Sequence, residues 1–332
     1  MRKAIRKSAN LSVPVRADIA GAFSDLAYYL DKFGIEKGEV TNFSLPILMK
    51  ISARIDDENG SMVVRLPDLG EEIEGDLNDL EKQESNNISQ IIIHFVNLFN
   101  LDTSGLIIEV SGGGQIPPAS GLGTSSAAGI GVIMCLSNLY GIHGINPCEL
   151  NYIVELSMGI MGGKQDYYAA WLTGINYLEF SGPQKSLVTV KKHFDIKSKE
   201  YQWLQQRSLI YFSGQSRSSG VANAEPERKV KKDPGIIRRI ADVASESWIA
   251  ISDMDKGGFS KAIAKDRENR LDLSDLYYTH EMKNMGRVGD DLGYSHRACG
   301  AGMGGCMLFF GEPENHSKLE HELKKIGGWR VV

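Results

Sequence analysis

The stretch PPASGLGTSSAA, residues 117–128, decides how the chain is read. Gly121 and Gly123, two apart, let the backbone curl closely around a ligand, and the hydroxyls of Thr124, Ser125 and Ser126 follow where a helix begins. A helix start offers N–H groups without intrahelical partners and the positive end of a dipole, so the pattern suits a polyphosphate. A glycine turn with hydroxyl caps is the plainer reading of a lone pair of glycines. Two prolines, two glycines and three hydroxyls in succession favour the anion site. The loop is not a Walker A motif, because no Gly-Lys pair in the chain is followed by Ser or Thr.

Downstream of this loop, AAGIGVIMCL (127–136) is apolar on every side, so the helix that contains it must be buried. Asn146, Pro147 and Glu149 spell a capped start for a further helix that Gly159 should stop. Upstream, SVPVRADIA, EVTNFSLPILMKISARI, SMVVRLPD and LIIEVSG read as strands, and Ile88, Ile91, Ile92, Phe95, Val96 and Leu98 recur at a helical period within residues 87–100. The composition turns polar after GINYLEF, which places a boundary at Gly182 between a domain of residues 1–182 and one of residues 183–332. In the second part the spacing predicts strand SLIYFS, a helix in PGIIRRIADVASESWIAISDMD, a helix in RLDLSDLYYTHEMKNMGRV, strand CMLFF, helix ENHSKLEHELKKIG and strand WRVV. That order predicts an α+β sandwich, helices on an antiparallel sheet.

The 332 residues carry 37 Lys plus Arg against 42 Asp plus Glu, a formal charge of −5, which argues against nucleic acid or a membrane surface as partner. The basic start MRKAIRKSAN is followed by a segment that Arg16 and Asp18 interrupt, so no signal-peptide apolar region forms, and the longest apolar run is too short to span a bilayer. Cys135, Cys148, Cys299 and Cys306 show no CxxC pair and read as reduced, mostly buried thiols. A cytoplasmic protein that acts on small molecules is expected. The seven histidines show no zinc spacing.

PPASGLGTSSA resembles the phosphate-binding motif of the GHMP kinases, the superfamily of galactokinase, homoserine kinase, mevalonate kinase and phosphomevalonate kinase. VPVRADIAGAFSD (13–25) resembles the substrate motif of its sugar-kinase members, and CGAGMGGCMLFF (299–310) resembles its third motif, a glycine turn that packs against the nucleotide loop. GGKQDYYAAWLTGINYLEF (162–180) is similar to a segment of the heptose-7-phosphate kinases and their fucokinase-like relatives. The resemblance covers almost the whole chain in the expected order. It implies a two-domain α+β fold: an N-terminal ribosomal-protein-like α/β domain that binds ATP and a C-terminal ferredoxin-like sandwich.

What the resemblance implies for the site is specific. ATP phosphates would lie on Pro118, Ser120, Gly121, Leu122, Gly123, Thr124, Ser125 and Ser126, with Gly302 of the third motif behind them. Mg²⁺ would be held by Ser125 and Glu155, hard oxygen donors of the kind that ion takes. Asp166 would accept the proton of the acceptor hydroxyl, with Arg16 as the cationic partner in catalysis. Substrate contacts would come from Asp25 with its neighbours Phe23 and Ser24, from Gly163 and from Arg217. An exposed loop arginine is an equal reading of Arg217, and Lys164 carries the same ambiguity.

Galactokinases carry Glu and His where Ala22 and Phe23 stand here, and heptose kinases carry GGxTD where this chain has GAFSD, so galactose is disfavoured and Phe23 adds an apolar wall. The expected activity is ATP-dependent phosphorylation of a sugar or sugar phosphate, with a heptose 7-phosphate-like acceptor favoured. A mevalonate-type alcohol kinase and a catalytically silent sugar and ATP sensor are the alternatives. A homodimer is kept open by the early end of the chain at GGWRVV, which would leave a sheet edge for a partner subunit.

Overall fold

The computed structural model describes residues 7–58, 60–82, 87–114, 116–117, 119–181, 187–215 and 224–332. Pro118, Arg217 and the domain boundary expected at Gly182 lie outside the described residues. The chain forms two compact units that interleave along the sequence: Met1–Val15, Ile47–Ile116 and Thr124–Trp171 make the first, and Arg16–Pro46, Pro117–Gly123 and Leu172–Val332 the second. Two long strands, β1 (Ser8–Ala20) and β2 (Gly38–Ile55), each contribute to both.

In the first unit the C-terminal half of β2 pairs antiparallel with β5 (Leu106–Ser111), β5 pairs parallel with β3 (Met62–Leu66), and β3 pairs antiparallel with β4 (Glu71–Gly75). Its helices are α2 (Leu77–Glu81), α3 (Asn87–Phe99), α4 (Thr124–Tyr140), α5 (Pro147–Ser157) and most of α6 (Gln165–Leu172). The all-round apolar stretch is buried as its composition requires from Ala127 to Leu136, with Met134 half-buried. Helix α5 starts where the sequence placed it: the Asn146 side chain accepts from the Cys148 and Glu149 N–H groups at 3.0 and 3.3 Å.

In the second unit the N-terminal half of β2 pairs antiparallel with β6 (Ile175–Ser181), and β6 with β7 (Leu187–Phe194). A separate antiparallel sheet has the order β11-β8-β10-β9, from β8 (Ser208–Phe212), β9 (Ser295–Ala298), β10 (Cys306–Phe310) and β11 (Trp329–Arg330). The helices are α1 (Ala27–Lys32), α7 (Lys199–Arg207), α8 (Ala224–Lys232), α9 (Gly235–Ser252), α10 (Lys256–Leu273), α11 (His280–Asp291) and α12 (His316–Lys325). Tyr211, Tyr277, Met282, Met307, Phe309, Leu319 and Leu323 form a core between this sheet and its helices.

One expectation here is corrected. The helix expected over RLDLSDLYYTHEMKNMGRV is two helices, α10 and α11, separated by residues 274–279. Ser274 takes an extended conformation (φ −152°, ψ 124°), and Thr279 then caps α11 by accepting from the Met282 N–H at 3.3 Å.

Candidate active site

Residues 119–123 of the loop are held by Arg16 of the N-terminal motif and by the third motif, and these residues all lie in the second unit. Gly121 and Gly123 have φ of +77° and +70°, left-handed conformations that glycine adopts without strain. A side chain at Gly121 would meet the Cys299 carbonyl oxygen at 2.6 Å, so the third motif sits on a backbone that only glycine can present. The Ser120 carbonyl accepts from the Cys306 N–H at 2.7 Å. From the N-terminal motif, the Arg16 N–H donates to the Leu122 carbonyl at 3.0 Å and its guanidinium to the Gly121 carbonyl at 2.5 Å. Ser120 and Leu122 are buried, and α4 begins at the next residue after the loop, Thr124.

A buried ion network supports this arrangement, and the sequence reading missed it. Arg297, on β9, donates to the Asp18 carboxylate at 2.7 Å and lies 3.1 Å from that of Asp266 on α10, with all three side chains fully buried. The second Asp18 oxygen accepts from the Gly300 N–H at 2.7 Å, and Asp266 accepts from the Gly21 N–H at 3.0 Å. Arg270, one turn on from Asp266, donates to the carbonyls of Ala22 and Gly300 at 2.6 and 3.1 Å. Backbone from the substrate motif and the glycine turn is thereby fastened to one cluster. Burial pushes Asp18 upward, but Arg297, Arg16 and the Gly300 N–H outweigh it and hold the carboxyl below its ordinary range. For Asp266 burial wins over Arg297 and Arg270, and its pKa is raised.

The substrate motif makes a tight turn. Phe23 has φ +90°, its N–H donates to the Asp25 carboxylate at 3.1 Å, and its ring packs on Tyr29 with centroids 4.8 Å apart. The buried Ser24 hydroxyl donates to the Gly21 carbonyl at 2.7 Å and accepts from the Glu39 N–H at 3.0 Å. Ser24 therefore shapes the turn that presents Asp25. Gly302, in the third motif, has φ +74° and lies against Tyr277.

The first unit carries the remaining residues. Ser125 is exposed at the head of α4, whereas Ser126 is buried. The Asn87 amide, at the head of α3, donates to the Ser125 hydroxyl at 3.1 Å and to the Glu155 carboxylate at 3.2 Å, which ties that acid to that hydroxyl. Glu155 also accepts from Tyr167 at 2.5 Å and Asn151 at 3.3 Å. These partners are neutral. Burial raises the Glu155 pKa, the hydrogen bond from Tyr167 opposes the rise, and the charge of Asp166 adds to it. Asp166 itself is half-buried in the first turn of α6, two residues after Lys164, and Gly163 lies in the loop before that helix. Lys164 is buried, pairs with Glu149 at 2.6 Å and lies over the Tyr152 ring, a structural setting.

Asn87, Asn151 and Tyr167 were not singled out from sequence. Tyr167 follows Asp166 directly and Asn151 stands one helical turn before Glu155, so their spacing carried the signal. All four cysteines are free and buried, as expected. No helix among the described residues is long and apolar enough to cross a membrane.

Comparison with known proteins agrees with this geometry. The family described as GHMP kinases N terminal domain matches residues 86–174. The chain is 25% identical to the D-glycero-alpha-D-manno-heptose 7-phosphate kinase of Campylobacter jejuni, over 97% of this chain and 95% of that protein. It is 23% identical to the mevalonate kinase of Methanocaldococcus jannaschii, over 81% of this chain and 84% of that one. The crystal structure of a D-glycero-D-manno-heptose 1-phosphate kinase from Bacteroides thetaiotaomicron superposes with a TM-score of 0.75 at 20% identity, over 97% of this chain and 94% of that chain. The residues matched to that family, 86–174, hold the glycine loop and the helices α3 to α6 that carry Asn87, Ser125, Glu155 and Asp166.

Proposed function

We propose that this protein transfers the γ-phosphate of ATP to a hydroxyl of a sugar or sugar phosphate, with a heptose 7-phosphate-like acceptor favoured. The observation that carries the reading is the Asn87 bridge: one amide at the head of α3 donates both to the buried Glu155 carboxylate and to the exposed Ser125 hydroxyl at the head of α4. In this reading residues 1–182 are the ATP-binding domain and 183–332 the C-terminal domain. The loop from residue 118 to Ser126 cradles the phosphates with Gly302 behind it, and Arg217 meets the acceptor.

The residues around Glu155 fit Mg²⁺. The donors are hard oxygens, and the Asn87 Oδ1 is buried without a hydrogen-bond partner among the described residues. Ser125 and Glu155 would hold the ion. When bound, Mg²⁺ supplies neutralisation of the phosphate charge. Burial that now disfavours the Glu155 anion is a setting that a cation reverses.

The chain's own work is alignment. Asp25 orients the acceptor, in a turn set by Phe23 and Ser24 with Gly163 near the same hydroxyl. As the acceptor oxygen bonds to the γ-phosphorus and the bond to the β-bridging oxygen breaks, ADP leaves and the hydroxyl proton passes to the Asp166 carboxylate. Arg16 supplies positive charge to the transferring group.

Asp166→Asn should retain ADP binding and lose about 10²–10⁴-fold in turnover, measured by coupled ADP release. Unchanged turnover would rule out the base. The same assay across heptose 7-phosphate, other sugars, sugar phosphates and mevalonate separates the readings. A mevalonate-type acceptor is the second reading, because GAFSD departs from the heptose-kinase run and a mevalonate kinase is among the relatives. Thermal stabilisation by sugar and ATP with no ADP released from any acceptor would mean a sensor.

A further inference from the structure

A cavity of about 290 Å³ opens in the second unit between α10, α11 and β9, among residues the proposed transfer does not use. Leu271 and Tyr278 line it, and Arg267, Lys283 and Arg287 bring three cations to it against the carboxylates of Glu268 and Asp290. The local balance is positive in a chain whose formal charge is −5. Lys283 and Arg287 are exposed and four residues apart on α11, so their side chains share a face and repel each other. An anion between them converts that repulsion into binding.

His296 lies beneath this rim, 3% exposed. Its Nε2 accepts from the Arg267 guanidinium at 2.7 Å, and its Nδ1 is 3.0 Å from the Tyr278 hydroxyl. The Asp290 carboxylate is 3.3 Å from the ring and 3.7 Å from Arg267. Burial first, and then the charge of Arg267, lower the His296 pKa to about 4, so the ring is uncharged at neutral pH and holds Arg267 in place as an acceptor. Successive residues of a strand face opposite ways: His296 faces the cavity, and Arg297 enters the ion network that fastens Gly300 through Asp18.

We propose that this cavity binds a small phosphate monoester with a compact apolar body, and that its occupancy stiffens β9 and the glycine turn that follows. Lys283, Arg287 and Arg267 take the phosphate oxygens, while Leu271 and Tyr278 cover the body. The ligand is separate from the nucleotide and from the acceptor.

The test uses phenyl phosphate as probe on full-length protein saturated with ADP, whose binding is measured first so that failure of the nucleotide reading shows by itself. Calorimetry should find one saturable equivalent of phenyl phosphate, with phenol binding at least about tenfold more weakly for want of charge-assisted hydrogen bonds. Lys283→Ala combined with Arg287→Ala, both exposed and away from the proposed catalytic residues, should weaken phenyl phosphate by about tenfold or more and leave ADP affinity unchanged. Amide exchange at residues 295–300 should slow on binding in the wild type. No saturable uptake, uptake undiminished in the double variant, equal binding of phenol, or unchanged exchange at those residues would overturn the proposal.

Discussion

Two buried acidic clusters in this protein look alike by burial and differ in what surrounds them. Asp18 and Asp266 are paired with Arg297, and neutral groups hold Glu155: Asn87, Asn151 and Tyr167. Asp18 lies below its ordinary pKa, with Arg297, Arg16 and the Gly300 N–H outweighing its burial, whereas burial wins at Asp266 in the same cluster and at Glu155, and both are raised. Arg297 supplies a counterion inside the first cluster, and in the function proposed above a bound cation would supply one to Glu155.

The sharpest way to break the contrast is Arg297→Ala. Removing one partner of a buried ion cluster leaves the others uncompensated, so a loss of about 3–5 kcal/mol in denaturant unfolding is expected. A loss below about 1 kcal/mol would mean that the network is not structural. The pH dependence follows the same logic. Asp18 is depressed in the folded state, so its contribution is complete above the unfolded value and disappears as pH falls through the folded one, in the acid range. Glu155 has the opposite sign: its ionisation opposes folding above its raised pKa, and acid relieves that.

Glu155→Gln tests the other cluster. The amide keeps the shape and removes the charge that burial disfavours, so unfolding at neutral pH should show no loss of stability. Turnover should fall about 10²-fold, equivalent to about 2.7 kcal/mol, with the Mg²⁺ requirement shifted to higher concentration. A variant that unfolds readily and keeps its metal dependence would place Glu155 with the architectural acids.

How far each cluster was legible follows from the same contrast. Glu155, Ser125 and Asp166 stand in short motifs whose spacing survives in one dimension. Asp18 and Arg297 are 279 residues apart, and nothing in the local sequence of either announces the other. Helix α10 shows why the second unit was harder to read. Its buried face combines Phe259, Ala262, Ile263 and Leu273 with Asp266, Asn269 and Arg270, so polar residues interrupt the apolar stripe by which a helix is recognised. The capped α5 and the apolar α4, whose signals are local, were read close to their observed bounds.

Gly121→Ala probes the junction of loop and glycine turn, with a smaller effect than either acidic cluster. Its φ of +77° strains any side chain, and the new Cβ would sit 2.6 Å from a backbone oxygen that cannot swing away. About 1–3 kcal/mol of stability should be lost. ADP affinity should fall by about tenfold, read by calorimetry, because the amides no longer curl as one loop. Full ADP affinity with a lowered melting temperature would assign the glycine to folding alone.

A small effect on stability, and the most informative one on specificity, belongs to Phe23→Gly. Phe23 holds φ +90°, a conformation that costs a bulky residue about 1–3 kcal/mol and glycine little. Against that relief stand the lost packing on Tyr29 and under the Arg270 guanidinium, 5.4 Å from the ring, and the added freedom of the unfolded glycine. These terms oppose, so stability should change by no more than about 1 kcal/mol. A phenylalanine kept at a backbone position made for glycine is strained for a reason, and the turn presents Asp25, so the reason to test is the shape offered to the acceptor. The expected result is a lower KM for a seven-carbon sugar phosphate relative to smaller acceptors. An unchanged ratio across the panel would reduce Phe23 to a packing residue and return the choice of acceptor to Asp25 and the residues around it.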